Sequence, residues 1–270
     1  MTLQNKNSLS LPEIKEKLMA NKPLILITND DGYEADGYRL LVDLMKTLGD
    51  VVAISTLEST SAMGHAVTMN LPLRLNKIKD EPGFIEYISN GTPADNIKMG
   101  KHLLLDRLPD LVVSGINHGS NAAINIIYSG TMAAALEAAM DGIPAIGFSL
   151  AEYGQHPDFS HVSEFVLKIT KRVLNDSLPE GIALNVNIPK KTDAPVKGIK
   201  IARQAKATWK ETYEERTDPF GRKYYWMSGV FLDGDKRVDT DEKAMADNYV
   251  AVVPVKFDFT ASDLLDKLTF

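Results

Sequence analysis

The stretch Leu24-Ile25-Leu26-Ile27-Thr28-Asn29-Asp30-Asp31-Gly32 is an apolar run that stops abruptly on two adjacent carboxylates. Such a run reads as a buried strand. Neighbouring strand residues point to opposite faces, so two Asp side chains converge only where the strand ends and the backbone turns. Gly32 permits that turn. Like charges this close repel, so the pair calls for a cation or for hydrogen-bond donors. An Asx-turn with a helix cap is the other reading of Asp-Asp-Gly.

Outward from this point, apolar strands alternate with helical periodicity. Leu40, Leu41, Leu44, Met45 and Leu48 share one helical face after Asp36, the expected N-cap, and Gly49 closes the helix. Val51-Val52-Ala53-Ile54-Ser55 is a second strand, leading into a polar loop with Ser59, Ser61, Gly64 and His65. A further strand, Leu111-Val112-Val113-Ser114, ends in Gly115-Ile116-Asn117-His118-Gly119. An alanine-rich helix follows from about Met132 to Met140, then a strand at Ala145-Ile146-Gly147-Phe148-Ser149. This order predicts an α/β fold with a Rossmann-like, doubly wound, mostly parallel sheet. In such sheets ligands bind beyond the carboxyl ends of the strands.

Three strand ends carry polar residues: Asp30 and Asp31, Ser59 and Ser61, and Asn117. Parallel strands bring them to one edge. Carboxylate, hydroxyl and amide oxygens suit a hard divalent cation such as Mg²⁺ or Mn²⁺ rather than zinc or copper. Ser61 and Asn117 can also simply satisfy loop backbone. Tyr128-Ser129-Gly130-Thr131 stands before the alanine-rich helix, where hydroxyls and free N–H groups make an anion site. Plain N-capping is the alternative there.

Composition excludes several classes. The 270 residues are 44% hydrophobic and 24% charged, enough for one large core or a core with a smaller lobe. A net charge of −6 argues against duplex nucleic acid as a partner. The sequence has no cysteine, which removes disulfides, zinc-thiolate sites and a thiol nucleophile. No stretch is long and apolar enough to span a membrane, and Met1 to Ser10 are polar, so the expected location is cytoplasmic.

The organisation divides into residues 1–22, an N-terminal extension with a short helix through Leu11, Ile14 and Leu18; residues 23–190, the α/β core; and residues 191–270. The last part mixes Trp209, Tyr213, Tyr224, Tyr225 and Trp226 with many charges around a turn at Asp218-Pro219-Phe220-Gly221, which predicts a projecting β-hairpin. Such an arm cannot bury its aromatic face alone, so a second subunit is its natural partner. Trp209 and Trp226 read as hairpin packing or subunit contact rather than a base-stacking platform. Leu264, Leu265 and Leu268 predict a terminal helix over Ser262 to Leu268. His65 and His118 read as structural or peripheral, and His102, His156 and His161 as surface or packing residues.

Taken together, Asn29-Asp30-Asp31-Gly32, Ser61-Ala62-Met63-Gly64-His65, Asn90-Gly91-Thr92-Pro93-Ala94-Asp95, Ser114-Gly115-Ile116-Asn117-His118-Gly119 and Tyr128-Ser129-Gly130-Thr131 resemble the SurE family of survival proteins. Leu184-Asn185-Val186-Asn187-Ile188-Pro189, Asp218-Pro219 with Gly221, Tyr225-Trp226 and Asp247-Asn248-Tyr249-Val250 continue the match, over roughly Pro23 to Thr260. The resemblance implies a metal-dependent 5′/3′-nucleotidase that releases phosphate from nucleoside monophosphates, with exopolyphosphatase activity as an extension. It implies Asp30, Asp31, Ser61 and Asn117 as ligands of one divalent cation per subunit, with Asp30 and Asp31 also catalytic. Asn29, Thr92, Gly119, Ser129, Gly130 and Thr131 become the substrate and phosphate residues, with Gly91-Thr92-Pro93 near the nucleotide. It also implies homodimers or homotetramers through C-terminal elements. Leu57-Glu58-Ser59-Thr60 lacks the basic residues that many relatives carry, which bears on base or sugar preference. A metal-activated water aligned by Asp31 and direct attack by an aspartate are both open routes. A non-catalytic nucleotide or anion sensor on the same scaffold is the alternative function, and a flavodoxin-like cofactor binder a third.

Overall fold

A computed structural model describes residues 22–154 and 156–268. The expected helix through Leu11, Ile14 and Leu18 lies outside them. In chain order the elements are β1 (Leu24–Thr28), α1 (Asp36–Lys46), β2 (Asp50–Thr56), β3 (Leu75–Glu81), β4 (Phe84–Ser89), α2 (Pro93–Met99), β5 (Leu111–His118) and α3 (Gly130–Met140). They continue with β6 (Ala145–Ala151), α4 (Ser163–Asp176), β7 (Ile182–Pro189), β8 (Ile199–Ile201), β9 (Ala207–Thr217), β10 (Lys223–Asp233), α5 (Asp241–Ala246) and β11 (Val250–Lys256).

Nine strands form one sheet in the order β3-β4-β2-β1-β5-β6-β7-β11-β8. From β4 to β7 every neighbouring pair is parallel; β3 and β11 pair antiparallel with β4 and β7. The chain leaves β1 for β2 on one side and returns to β5 on the other. The order therefore switches between β1 and β5, the place where a doubly wound sheet opens a crevice at its carboxyl edge.

Alternation along β1 explains the layers. Ile25 and Ile27 point to one face, where Tyr38, Leu41 and Met45 of α1 meet Val166 and Ile169 of α4. Leu24 and Leu26 point to the other, against Ile97 of α2 and Met132, Ala135 and Leu136 of α3. Each fully buried aliphatic side chain stabilises the fold by roughly 1.5–3 kcal/mol, so a sheet covered on both faces fixes its strand ends firmly.

Three details differ from the sequence reading. The N-cap of α1 is Ala35, with no side-chain cap bond, and Asp36 is the first helical residue, where its charge favours the helix dipole. α3 begins earlier than Met132, at Gly130, with Ser129 as its N-cap. The expected terminal helix is reduced to a 3₁₀ turn at Ser262–Leu264. Leu264, Leu265 and Leu268 are all exposed, and a segment that short does not hold a helix without a surface to bury its apolar side.

The predicted hairpin is present. β9 and β10 pair antiparallel from Ala207↔Asp233 to Thr217↔Lys223 as a separate two-stranded sheet. Its turn is closed by Asp218, whose Oδ1 accepts from the N–H groups of Phe220 and Arg222 at 2.8 and 2.9 Å. β8 and β11, also from the last part of the chain, extend the main sheet beyond β7.

Candidate active site at the β1 and β5 strand ends

β1 ends at Thr28, and Gly32, at φ 98°, turns the chain toward α1. Asn29 holds that turn: its amide donates to the Gly32 carbonyl at 2.8 Å and its Oδ1 accepts from the Ser55 hydroxyl at 2.6 Å. Asn29 is fully buried, so it shapes the site without facing it. Asp30, 2% exposed, lies at the N-terminus of α3. Its Oδ1 accepts from the Thr131 hydroxyl at 2.6 Å, and a Cβ on Gly130 would stand 2.8 Å from its Oδ2. Asp31 accepts from the His118 backbone N–H at 3.1 Å.

The other strand ends arrive at the same point. The register of β5 against β6 shifts between Ser114 and Asn117, which re-aims the end of β5. The Asn117 amide donates to the Gly119 carbonyl at 2.8 Å, and its Oδ1 lies 3.3 Å from the Thr131 hydroxyl. One hydroxyl thus brackets an oxygen of Asp30 and an oxygen of Asn117. The loop after β2 is drawn in by Thr60, whose N–H donates to the Asp30 carbonyl at 2.8 Å. That contact brings Ser61 to the site, its Oγ 2.9 Å from Ser59 Oγ. Asp30, Ser61, Asn117, Gly119 and Ser129 line one cavity of about 160 Å³. Asp31 flanks it.

The electrostatics are unbalanced. Burial raises the Asp30 carboxyl pKa, against the lowering effect of the Thr131 hydroxyl and the N–H groups at the start of α3. Burial, and then the charge of Asp30, push Asp31 up to about 7, against the His118 N–H. The donors that reach the two acids are neutral, so they disperse the charge without cancelling it. Among the described residues no group of three His, Cys, Asp or Glu side chains could hold a metal. A cation here would complete its shell from neutral oxygens, and Ser61 and Asn117 are among the residues with such oxygens that line the cavity with Asp30. Two carboxylates with hydroxyl and amide oxygens fit a hard divalent ion.

Ser129 and Thr131 divide their labour. The Ser129 hydroxyl accepts from the Met132 N–H at 3.0 Å as N-cap, so its own proton stays available to a ligand in the cavity. The Thr131 proton is engaged by Asp30, which makes Thr131 the residue that aims the carboxylate. Thr92 stands apart from the cavity. It caps α2 in a reciprocal box with Asp95, and its hydroxyl donates to the Ala66 carbonyl at 2.7 Å. Asp95 also accepts from the Thr68 N–H at 3.1 Å. The Asn90-to-Asp95 motif thus anchors the far end of the loop that carries Ser61.

Other residues reach the site without having been assigned to it from the sequence. Tyr153 and Trp209 line the same cavity, so Trp209 does more than pack the hairpin. Asn187 Oδ1 accepts from the Asn121 N–H at 2.8 Å and Asn185 donates to the Asn121 carbonyl at 2.9 Å, which gives the Leu184-to-Pro189 motif its purpose. Buried Asp241 accepts from the N–H groups of Ala123 and Ala205, both at 2.9 Å, and so ties the loop before α3 to the C-terminal part of the chain. A polar pair on a buried strand was the available signal for Asn185 and Asn187; Asp241 had none. His118 lines the cavity, its ring tilted against that of Phe159 at a centroid distance of 5.3 Å, and burial lowers its pKa against the charge of Asp36. His65 pairs with Glu137 of α3 at 3.0 Å.

The chain is similar to known proteins in sequence and in fold. Residues 25–211 match the family model described as survival protein SurE. The 5′-nucleotidase SurE of Cytophaga hutchinsonii is 53% identical over 249 residues, covering 92% of this chain and 96% of that protein. Its counterpart in Christiangramia forsetii is 52% identical over 250 residues, with 92% and 96% covered. The crystal structure of the SurE protein from Aquifex aeolicus superposes with a TM-score of 0.79 at 37% identity, covering 91% of this chain and 98% of that one. With a family model spanning most of the sheet and relatives this similar over nearly their whole length, the chain belongs to the SurE family.

Proposed function

We propose that the cavity at the β1 and β5 strand ends hydrolyses nucleoside 5′- and 3′-monophosphates to nucleoside and phosphate, with one divalent cation, Mg²⁺ or Mn²⁺, per subunit. Membership of a family whose relatives are named 5′-nucleotidase makes the chain a phosphoric monoester hydrolase. The observation that carries the metal reading is the buried Asp30 beside Asp31, met by neutral donors and bracketed with Asn117 by one hydroxyl. Asp30, Asp31, Ser61 and Asn117 are the proposed ligands. A cation held by them supplies the positive charge that a phosphoryl group needs.

The chain's own groups do the rest. The Ser129 hydroxyl donates to a phosphoryl oxygen, in the manner of preorganised donors that stabilise charge spread over equatorial oxygens. Thr131 fixes Asp30, and Asp31, held through one oxygen by His118, aligns the attacking water. Terminal phosphate of a short polyphosphate presents the same group and is included as an extension. The exposed arm, with Phe220, Tyr225 and Trp226 at 83%, 58% and 60% exposure, supports assembly into homodimers or homotetramers.

The test is phosphate release from 5′- and 3′-mononucleotides by EDTA-stripped protein with Mg²⁺ or Mn²⁺ added back. Metal-restored release supports the phosphatase. Nucleotide binding without release under any metal overturns it and favours a sensor.

A further inference from the structure

The cavity around Asp30 measures about 160 Å³, whereas sites that enclose a ligand of nucleotide size run to roughly 300–1,000 Å³. It holds a phosphoryl group and part of a sugar. A nucleobase must then lie at the mouth, and the groups present there decide whether it is held.

Three phenol or indole rings stand among the lining residues, those of Tyr128, Tyr153 and Trp209, and the last two come from distant parts of the chain and are each held against a neighbour. Tyr153 follows β6 and is 69% exposed. Its ring packs so closely on Gly119 that a Cβ there would sit 2.5 Å from Cε1. Trp209, near the base of the hairpin arm, is half-buried. Its Nε1 donates to Asn125 Oδ1 at 2.8 Å, and Phe231 meets it edge-on at a centroid distance of 5.3 Å. The indole is thereby fixed at two points while still lining the cavity. A fixed, partly exposed aromatic ring beside a phosphate-sized hole is the arrangement that stacks a base without reading its identity.

We infer that Trp209 and Tyr153 form the base-holding walls of the site, with Trp209 the dominant one, so that the chain prefers phosphomonoesters carrying an aromatic base over the bare sugar phosphate. This rests on the nucleotidase reading above. It also gives the arm a role in substrate choice, since Trp209 belongs to β9. Asn125 links this wall to the loop before α3.

The alternative is that Trp209 only braces Asn125, and kinetics separate the two. Trp209→Ala is expected to raise KM for adenosine 5′-monophosphate about tenfold with kcat retained, while kcat/KM for ribose 5-phosphate stays within about twofold. Trp209→Phe, which keeps a ring and the fold, is expected to recover most of the loss. Equal loss on both substrates, or no change with the nucleotide, overturns the inference.

A spectroscopic arm is independent of turnover. The chain has two tryptophans, so Trp226→Phe leaves Trp209 as the only indole. Adenosine 5′-monophosphate is expected to quench its emission saturably, and ribose 5-phosphate to leave it unchanged. The same response to both, or to neither, overturns the base wall. Quenching by the nucleotide from a protein that releases no phosphate with any metal would retain the base wall and overturn the phosphatase.

Discussion

Replacing Gly130 with alanine puts one methyl group against the carboxylate of Asp30, the proposed metal ligand. The added Cβ would lie 2.8 Å from Asp30 Oδ2, 3.1 Å from its Cβ and 3.2 Å from its Cγ. Contacts this short along a whole side chain cannot be relieved by turning the carboxylate, so Asp30 or the first turn of α3 must shift by several tenths of an ångström. Asp30 is buried and bonded to Thr131, which leaves the shift to be shared with Thr131 and Asn117. Alanine at a helical position gains up to about 1 kcal/mol over glycine, which offsets part of the crowding. Stability should therefore stay within about 1 kcal/mol of the parent, by urea denaturation. Turnover should not: misplacement of a reacting constellation by a fraction of an ångström to 1 Å costs about 100-fold. The assay pairs phosphate release with Mn²⁺ titration of the same preparation. A Gly130→Ala protein with parental turnover and parental metal response would refute the packing argument.

Three further outcomes are expected. Thr92→Val removes the α2 cap and the bond to Ala66, which should cost about 1 to 2 kcal/mol by urea denaturation and weaken Mn²⁺ about tenfold by loosening the loop that carries Ser61; unchanged metal affinity would break that link. Burial works against the charge on Glu137, yet hydrogen bonds from His65 and from Lys98, at 3.0 and 2.5 Å, outweigh it and hold the pKa near 2. Because the folded value lies below the unfolded one, this stabilisation is present above about pH 4.5 and lost as pH falls toward 2. After discounting for screening it is worth about 1 to 2 kcal/mol, so Glu137→Gln should lie below the parent at pH 7, with the gap narrowing below about pH 4.5 and closing only near pH 2, by urea denaturation; a constant gap would count against the pairing. Asp241→Ala strips the acceptor from the N–H groups of Ala123 and Ala205 and should cost about 3 kcal/mol, with turnover falling as the loop before α3 loosens; parental stability would show that the buried carboxylate is not a tie.

Much of the site can be read from local sequence because it sits where strands end. The break from Ile27 to Asp30, the polar loop after Ser55 and Asn117 after a buried strand are each visible alone, and parallel pairing brings them to one edge. Partnerships between remote residues are not visible in this way. Thr92 and Asp95 have the signature of a helix cap, but only the packing of α2 shows that they seize Ala66 and Thr68. Trp209 reads as a hairpin residue because its neighbours alternate as a strand, and its meeting with Asn125 spans 84 positions. β3 escaped for a different reason: Leu75-Asn76-Lys77-Ile78-Lys79-Asp80-Glu81 is an edge strand, polar and largely exposed, without the apolar run of a buried one. The terminal segment has helical spacing but no surface to bury it, and spacing alone does not hold a helix.

Manganese binding followed by electron paramagnetic resonance tests the central claim most directly, since it reads the proposed ligand set without relying on turnover. One Mn²⁺ per chain is expected in the parent. Asp30→Asn nearly preserves size while removing the charge, and should weaken that site by about 100-fold with the fold intact. Equal affinity in parent and variant, or no bound ion in the parent, would contradict it.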